Sequence, residues 1–523
     1  MSAIAGIFSL DAPVEAGACD VLVRATGAGT PGSVRAEGRV AFANGSSHGV
    51  LRVDAAGRML LADARIDNAA ELRRMLGGSG VSVGDFSPAS GTSGSSPDVS
   101  GFSGASNLAF AASGSSSVQE HRTMRDADLI LAAYARWGER CTEHLVGDFA
   151  FALWDPARQS LFCARDPMGV RPFYYLQSDT RFCFAFDLRT LLQLRGAPAA
   201  FDRQRIIHFL LNTDAGRERT FYQDVRRLPA AHRLLRTPAT LSLQRYWEPD
   251  VASEIRLRDD AEYAEAFRDL FAQAVHARLA DQGPTAATLS GGLDSSSIVC
   301  MARQLLDAGA PLHTISLVFP DLPPDALRLI DERRYIETVT QGSGLTAHEV
   351  RGDRISPLAD ARRIVQTLHE PFSAPNLYLH WAMFGAAADA GCSVLLDGFD
   401  GDSAVSHGLG RLDDLLAGDD WATYEREVRA FAERRGTGVG RVARSFGVPR
   451  LDWLAATGRW VEWARTARAL HRSFGLSRRD LLVEHGLGAT RAGRRLRRPE
   501  VTAAGRMVRA SHDDVALQTP AQP

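Results

Sequence analysis

There is no lysine anywhere in this 523-residue chain; all 60 of its basic residues are arginine. Chemistry that needs a side-chain primary amine is therefore excluded, including the phosphate-gripping lysine of the G-x-x-x-x-G-K-[ST] loop. Net charge is scarce too. The formal balance is −2, too small a field for wholesale binding to nucleic acid or to a membrane surface. The cysteines Cys19, Cys141, Cys163, Cys183, Cys300 and Cys392 are scattered and include no C-x-x-C pair. Most lie in apolar runs, as buried free thiols do. No apolar run approaches the roughly 20 residues of a membrane span. Met1 to Leu10 has no basic opening and meets Asp11 at once, unlike a signal peptide. These absences lead us to expect a soluble protein of the reducing cytoplasm, with no nucleic-acid and no membrane partner.

What is present suffices for sizeable cores: 45 % of the residues are hydrophobic, and the length suits two or more domains. Residues 1–75 alternate strand-like runs with Gly-rich turns, and residues 77–118 are a Gly/Ser-rich insertion with almost no charge. Leu129, Ile130, Ala133 and Trp137 then recur at helical spacing. The run Phe149 to Trp154, the turn Asp155-Pro156 and the run Ser160 to Arg165 read as a hairpin. The first 200 residues are thus an α+β domain rich in antiparallel sheet. Residues 201–255 read as a connector. From 256 on, the pattern alternates helix and strand, as βαβ units do, and predicts a doubly wound parallel sheet. Residues 411–505 read as a mostly helical extension.

One stretch carries more chemistry than any other. Leu289-Ser290-Gly291-Gly292-Leu293-Asp294-Ser295-Ser296 follows a short apolar strand and opens a helix. A Gly-Gly turn in that position bares backbone N–H groups at a helix start, which favours anions. Serine hydroxyls add donors, and an aspartate in a phosphate nest is best explained by Mg²⁺. The arrangement resembles the PP-loop of N-type ATP pyrophosphatases, which cleave ATP between its α and β phosphates.

With Ala5-Gly6-Ile7-Phe8, Leu145 to Asp155, Ala164-Arg165-Asp166-Pro167-Met168-Gly169-Val170-Arg171-Pro172, Asp331-Glu332 and Leu395 to Asp402 added, the chain resembles the asparagine synthetase B superfamily. The resemblance implies an Ntn-type glutaminase-like antiparallel β sandwich with helices over 1–200. It implies a PP-loop ATP pyrophosphatase domain over 256–523. It also implies activation of a carboxylate as an acyl-adenylate, followed by attack of an amine.

Departures from that family narrow the expectation. Its glutamine-hydrolysing members carry a cysteine directly before Gly-Ile-Phe, whose thiolate attacks glutamine; here that position is Ala5. The family's Asn-Gly oxyanion pair stands as Asp63-Ala64. An inactive glutaminase domain leaves the amine to come from the substrate or from solution. The β-lactam-forming relatives rely on a lysine that this chain lacks. The segments Asp397 to Gly408 and Glu370 to Asn376 resemble the lasso-peptide cyclases instead. Those enzymes join an Asp or Glu side chain of a precursor peptide to the core peptide's N-terminal amine as a macrolactam. A leader-binding protein and a processing protease are the partners that this branch implies. An ammonia-dependent asparagine synthetase is the alternative, and a non-catalytic scaffold of the same family the third.

These residues define the expected site. Ser290, Asp294 and Asp402 are the catalytic candidates, with Asp294 and Asp402 as Mg²⁺ ligands. Leu289 through Ser296, Leu317 and Gly398 would bind ATP, Leu317 against the adenine and Gly398 by allowing its close approach. Asp331 and Glu332 hold substrate or a second Mg²⁺, or merely complement a helix dipole. Phe399 stands where asparagine synthetases keep a glutamate, which leaves His407 and Glu370 as candidates for the amine's proton. Arg491, Arg494, Arg495, Arg497 and Arg498 form a basic cluster, and Trp453, Trp460 and Trp463 are expected on one helical face.

Overall fold

The computed structural model describes residues 3–476 apart from 31, 78–115, 196–198, 212–215, 251–252, 280–282, 308, 343, 373, 400 and 402–409. The Gly/Ser-rich insertion thus lies outside the described residues from 78 to 115.

Alternation along two strands decides the layering of the antiparallel part. In Gly147–Asp155, Phe149, Phe151 and Leu153 join one core, while Ala150, Ala152 and Trp154 join another. Met59–Ile66 beside it divides in the same way, Leu60 and Ala62 from Met59 and Leu61. Strands buried on both faces need a layer on each side. Their six-stranded sheet runs Leu241–Arg245, His232–Arg236, Ser160–Arg165, Gly147–Asp155, Met59–Ile66, Val50–Val53. Helices Ala69–Gly77 and Ser116–Trp137 cover one face through Leu72, Leu76, Leu129 and Ile130.

The other face meets a second six-stranded sheet, ordered Val225–Arg227, Tyr174–Gln177, Arg181–Ala185, Ile4–Ser9, Val40–Asn44, Val34–Glu37. Phe8, Phe42, Phe182 and Phe184 enter the shared core with Trp154 and Leu61. Helices Ala16–Thr26 and Leu188–Arg195 close the far side. The result is the antiparallel-rich α+β part that the sequence pattern predicts, built as the helix-covered sandwich that the family resemblance implies.

Residues 201–255 correct the expectation of a connector, because they supply strands to both sheets: Val225–Arg227 to one, His232–Arg236 and Leu241–Arg245 to the other. The physical reason is again alternation. Leu234 is buried between the sheets while its neighbour Leu235 packs under the helices.

Four strands form a wholly parallel sheet in the order Leu345–Arg351, Leu312–Val318, Thr285–Thr288, Val394–Leu396. Helices Asp260–Arg278, Leu293–Leu305 and Arg333–Thr340 cover one face through Val275, Val299, Ala302 and Ile336. Leu377–Asp389 covers the other, with Met383 and Ala387 against Ala286 and Ile315. The sheet is therefore doubly wound. Its strand order reverses between Thr285–Thr288 and Val394–Leu396, the kind of point at which such sheets bind ligands beyond their carboxyl ends.

The chain divides into two compact units. The first holds both antiparallel sheets and the parallel sheet. The second takes in Leu293–Ser295 and the described residues from Asp397 on. Its helices Gly410–Ala417, Trp421–Arg434, Val439–Ala456 and Trp460–Phe474 pack around Leu412, Leu416, Tyr424, Val428, Leu451 and Leu470. Among the described residues, no helix is long and apolar enough to cross a membrane.

Gly6 shows how tightly the sandwich is filled. A Cβ there would fall 2.5 Å from the Phe184 ring and 2.8 Å from Phe42. Overpacking of this kind costs about 1–3 kcal/mol. Gly6→Ala should therefore lower the stability of the antiparallel part by that amount, measured by urea unfolding followed through tryptophan fluorescence.

Candidate active site

Thr285–Thr288 is buried along its whole length, and Leu289 prolongs it by donating its N–H to the Ile315 carbonyl at 2.9 Å. The Leu289 side chain is wholly buried in the sheet core, so Leu289 can offer a ligand only its backbone. The chain then turns sharply into solvent at Ser290, which is exposed. Gly291 has φ +92°, and a Cβ on it would lie 2.9 Å from the Glu332 carbonyl oxygen and 3.0 Å from the Tyr335 Cβ. Both facts demand glycine. Gly292 donates its N–H to Ser290 Oγ at 3.2 Å and is the N-cap of the helix Leu293–Leu305. The turn therefore delivers a glycine-capped helix start of the kind that attracts anions. Ser296, in the first turn, donates its N–H to the Gly292 carbonyl at 3.1 Å. Leu293 is 86 % exposed and its side chain contributes nothing to a cradle.

Within the second unit, Asp294 and Ser295 meet the loop that follows Leu396. A Cβ on Gly401 would sit 2.3 Å from the Asp294 Cγ. Glycine at 401 is what lets the half-buried Asp294 carboxylate occupy its place, a requirement that motif reading did not identify. A Cβ on Gly398 would lie 2.8 Å from the Ser295 backbone nitrogen. Its missing side chain admits the buried Ser295 backbone, a reason for glycine that the sequence reading did not give. Asp402, the expected partner of Asp294, lies outside the described residues, as do His407 and the arginine cluster 491–498. Among the described residues no group of three or more His, Cys, Asp or Glu could hold a metal ion. The glycine-capped start and the Asp294 carboxylate in the first helical turn still suit a phosphate chain and one cation.

Other candidates separate clearly. Leu317 is half-buried against the core formed with Ile315 and Met383. Asp331 is exposed, and both of its carboxylate oxygens accept from the Arg333 guanidinium at 2.8 and 2.7 Å. Those hydrogen bonds hold its pKa down to about 2. Glu332 supplies the carbonyl under Gly291. Phe399 is 54 % exposed. Glu370 is corrected as a proton acceptor, since one carboxylate oxygen accepts from the Phe221 N–H at 3.0 Å and the other from Arg227 Nη2 at 2.7 Å. The three tryptophans do not share one face. Trp453 ends one helix with Arg450 and Arg459 over its ring at 4.3 and 4.9 Å, Trp463 packs into the core of the next, and Trp460 is exposed. Gly458, in the left-handed region at φ +73°, breaks the helix between them.

The antiparallel part holds no equipped nucleophile at the first strand. Ala5 is wholly buried, paired with Ala43 on one side and Ala185 on the other. Asp63 is buried with Arg171 at 3.4 Å. Burial pushes its carboxyl above the ordinary carboxylate value, against the pull of Arg171. Sequence reading missed Arg278, which ends helix Asp260–Arg278 and reaches into this region, bonding Asp67 at 2.7 Å and Asp148 at 2.9 Å.

Residues 112–247 match the family model described as a glutamine amidotransferase domain, and residues 266–512 match that of asparagine synthase. Among curated proteins, the chain is 32 % identical over 234 residues to asparagine synthetase [glutamine-hydrolyzing] 3 of Bacillus subtilis, covering 43 % of this chain and 37 % of that protein. It is 30 % identical over 200 residues to amidase chry2 of Gibberella zeae, covering 37 % and 29 %. A putative asparagine synthetase [glutamine-hydrolyzing] 2 of Methanocaldococcus jannaschii is 28 % identical over 223 residues, 42 % of each chain. The chain thus spans less than half the length of each of these relatives.

Gly401→Ala should displace the Asp294 carboxylate and leave the helix start intact. Calorimetric titration with ATP is expected to show at least fivefold weaker binding when Mg²⁺ is present. With Mg²⁺ omitted, variant and wild type should bind alike.

Proposed function

We propose, for a chain that belongs to the asparagine synthetase family through both of its matched domains, that it is an ATP-dependent amide-forming ligase that closes a peptide ring. The substrate would be a precursor peptide. An Asp or Glu side chain of that peptide is activated as the adenylate, and the peptide's own N-terminal amine displaces AMP to form a macrolactam. The chemistry of a lasso-peptide cyclase has this form, with a leader-binding protein and a processing protease as its partners in the cytoplasm.

The observation that carries this reading is Ala5. A residue with no thiol, wholly buried between two paired strands, offers glutamine no nucleophile at that position, which supports an amine from another source. An amine within the substrate needs no such source and gains from proximity.

ATP with Mg²⁺ supplies the leaving group that makes the carboxylate electrophilic. The chain's part is positioning and charge. The Ser290-Gly291-Gly292 turn and the helix start behind it offer N–H and hydroxyl donors to phosphate oxygens, and stabilisation of the departing pyrophosphate there lowers the barrier most. Asp294, with Asp402 as its expected partner, would hold the cation. Both Glu370 carboxylate oxygens are engaged, one by the Phe221 N–H and the other by Arg227.

A second reading, synthesis of asparagine from aspartate and ammonium, is favoured by the names of the B. subtilis and M. jannaschii relatives. One measurement separates the two. Leader-processed precursor peptide incubated with ATP and Mg²⁺ should lose the mass of one water, and Asp294→Ala should reduce that product at least a hundredfold. Asparagine formation from aspartate and ammonium, with the peptide unchanged, overturns the cyclase reading.

A further inference from the structure

The loss of the glutaminase nucleophile leaves open what the antiparallel part still does, and one cluster answers it. Three hydrogen bonds run from the segment 221–227 to the two residues His369 and Glu370. The Phe221 N–H donates to one Glu370 oxygen at 3.0 Å, Arg227 Nη2 to the other at 2.7 Å, and Tyr222 Oη to the His369 carbonyl at 2.9 Å. The pair is sheltered: the Arg227 and Glu370 side chains are 28 % and 13 % exposed. His369 caps the helix Ala361–Leu368 at φ +55°, a left-handed conformation that is uncommon for a residue other than glycine.

The place of this turn matters more than its strength. Leu377–Asp389 lies in the crossover that must run back to the amino end of the parallel strand Val394–Leu396. Its own start therefore lies at the carboxyl edge of the sheet, the edge from which the Ser290–Gly292 turn also leaves. The turn His369–Phe372 leads into that start.

We propose that Arg227 is a positioning residue for the ligase reaction: through Glu370 it sets the turn that leads to the carboxyl edge, where the acceptor end of the substrate must lie. The glutaminase-like part is thus kept as a brace for the synthetase site. This role rests on the ligase reading above, because it assigns what the braced turn serves. The brace acts on the condensing step and leaves ATP capture to the Ser290–Gly292 turn. Arg227 touches no reacting atom and works only through the turn.

The test uses the full chain with Arg227→Met, Arg227→Lys and Glu370→Gln, assayed with precursor peptide, ATP and Mg²⁺. Hydrogen–deuterium exchange over 369–372 is read in parallel. Arg227→Met is expected to raise the peptide KM or lower kcat by tenfold or more, with ATP affinity within twofold of wild type. Exchange over 369–372 should rise while the strand Leu312–Val318 stays protected. Arg227→Lys, which keeps one charged donor, should recover activity to within about threefold, and Glu370→Gln should resemble Arg227→Met. Unchanged exchange over 369–372 in Arg227→Met overturns the brace. Faster exchange with unchanged peptide kinetics overturns its role in the reaction, as does an equal loss of ATP affinity and peptide turnover. If exchange over 369–372 responds to Arg227→Met but the wild-type chain condenses no peptide, the peptide-ring reading is overturned, and the positioning role with it.

Discussion

Parallel strands put all of their carboxyl ends along one edge, and the reactive face of this chain derives from that constraint. A central strand, Thr285–Thr288, is flanked on one side by the strands next in sequence and on the other by Val394–Leu396, which arrives about a hundred residues later. The loop after each strand therefore emerges on the same edge. Ser290-Gly291-Gly292 leaves one strand there, and Asp397-Gly398-Phe399 leaves another. Glycine recurs in both because backbone must approach backbone: Gly291 against the Glu332 carbonyl, Gly398 against Ser295. A side chain at 291 would meet the Glu332 carbonyl, and one at 398 the Ser295 backbone.

The antiparallel sandwich obeys a different requirement. Its inner strands are apolar on both faces, so it needs helices outside and a second sheet inside, and this leaves few places for polar groups. Three arginines there meet sheltered carboxylates. Arg171 meets Asp63, Arg278 meets Asp67 and Asp148, and Arg227 meets Glu370. Three of these four pairs, those of Arg278 and Arg227, reach from the antiparallel sheets to the helices and turns around the parallel sheet. A buried pair is costly to break because the surviving charge stays desolvated, so such pairs make geometry specific even where their net stabilisation is small. Arginine suits this use, since its planar fork holds two partners at once, as Arg278 does. A chain without lysine builds all of its charged contacts in this way.

Much of the fold was legible in the sequence for a plain reason: burial imposes period two on strands and a glycine on each tight approach. The hairpin from Phe149 to Arg165 and the Ser290-Gly291-Gly292 turn could be read from those signals alone. The strands between 225 and 245 could not, because Arg226, Arg227, Arg233, Arg236 and Arg245 break the apolar pattern and make the segment read as a linker. In the fold Arg227 and Arg233 reach partners far along the chain, Glu370 and the Glu139 carbonyl, while Arg226, Arg236 and Arg245 bond close neighbours. Glu370 was misread for a related reason. A carboxylate in a short motif has the same appearance whether it faces a substrate or a guanidinium 143 residues away in sequence.

The division between the two sources of information is therefore physical. By itself the sequence determined many of the strand and helix runs, a strand–turn–helix of the kind that suits an anion, and the absence of a thiol at Ala5, since each is a matter of local pattern or of chemical identity. Tertiary structure alone decided which charges meet. It showed that Gly401 makes room for Asp294, that Leu289 is core, and that Arg227 and Tyr222 bond Glu370 and His369. Those contacts join residues distant in sequence, and no local periodicity records a long-range pair.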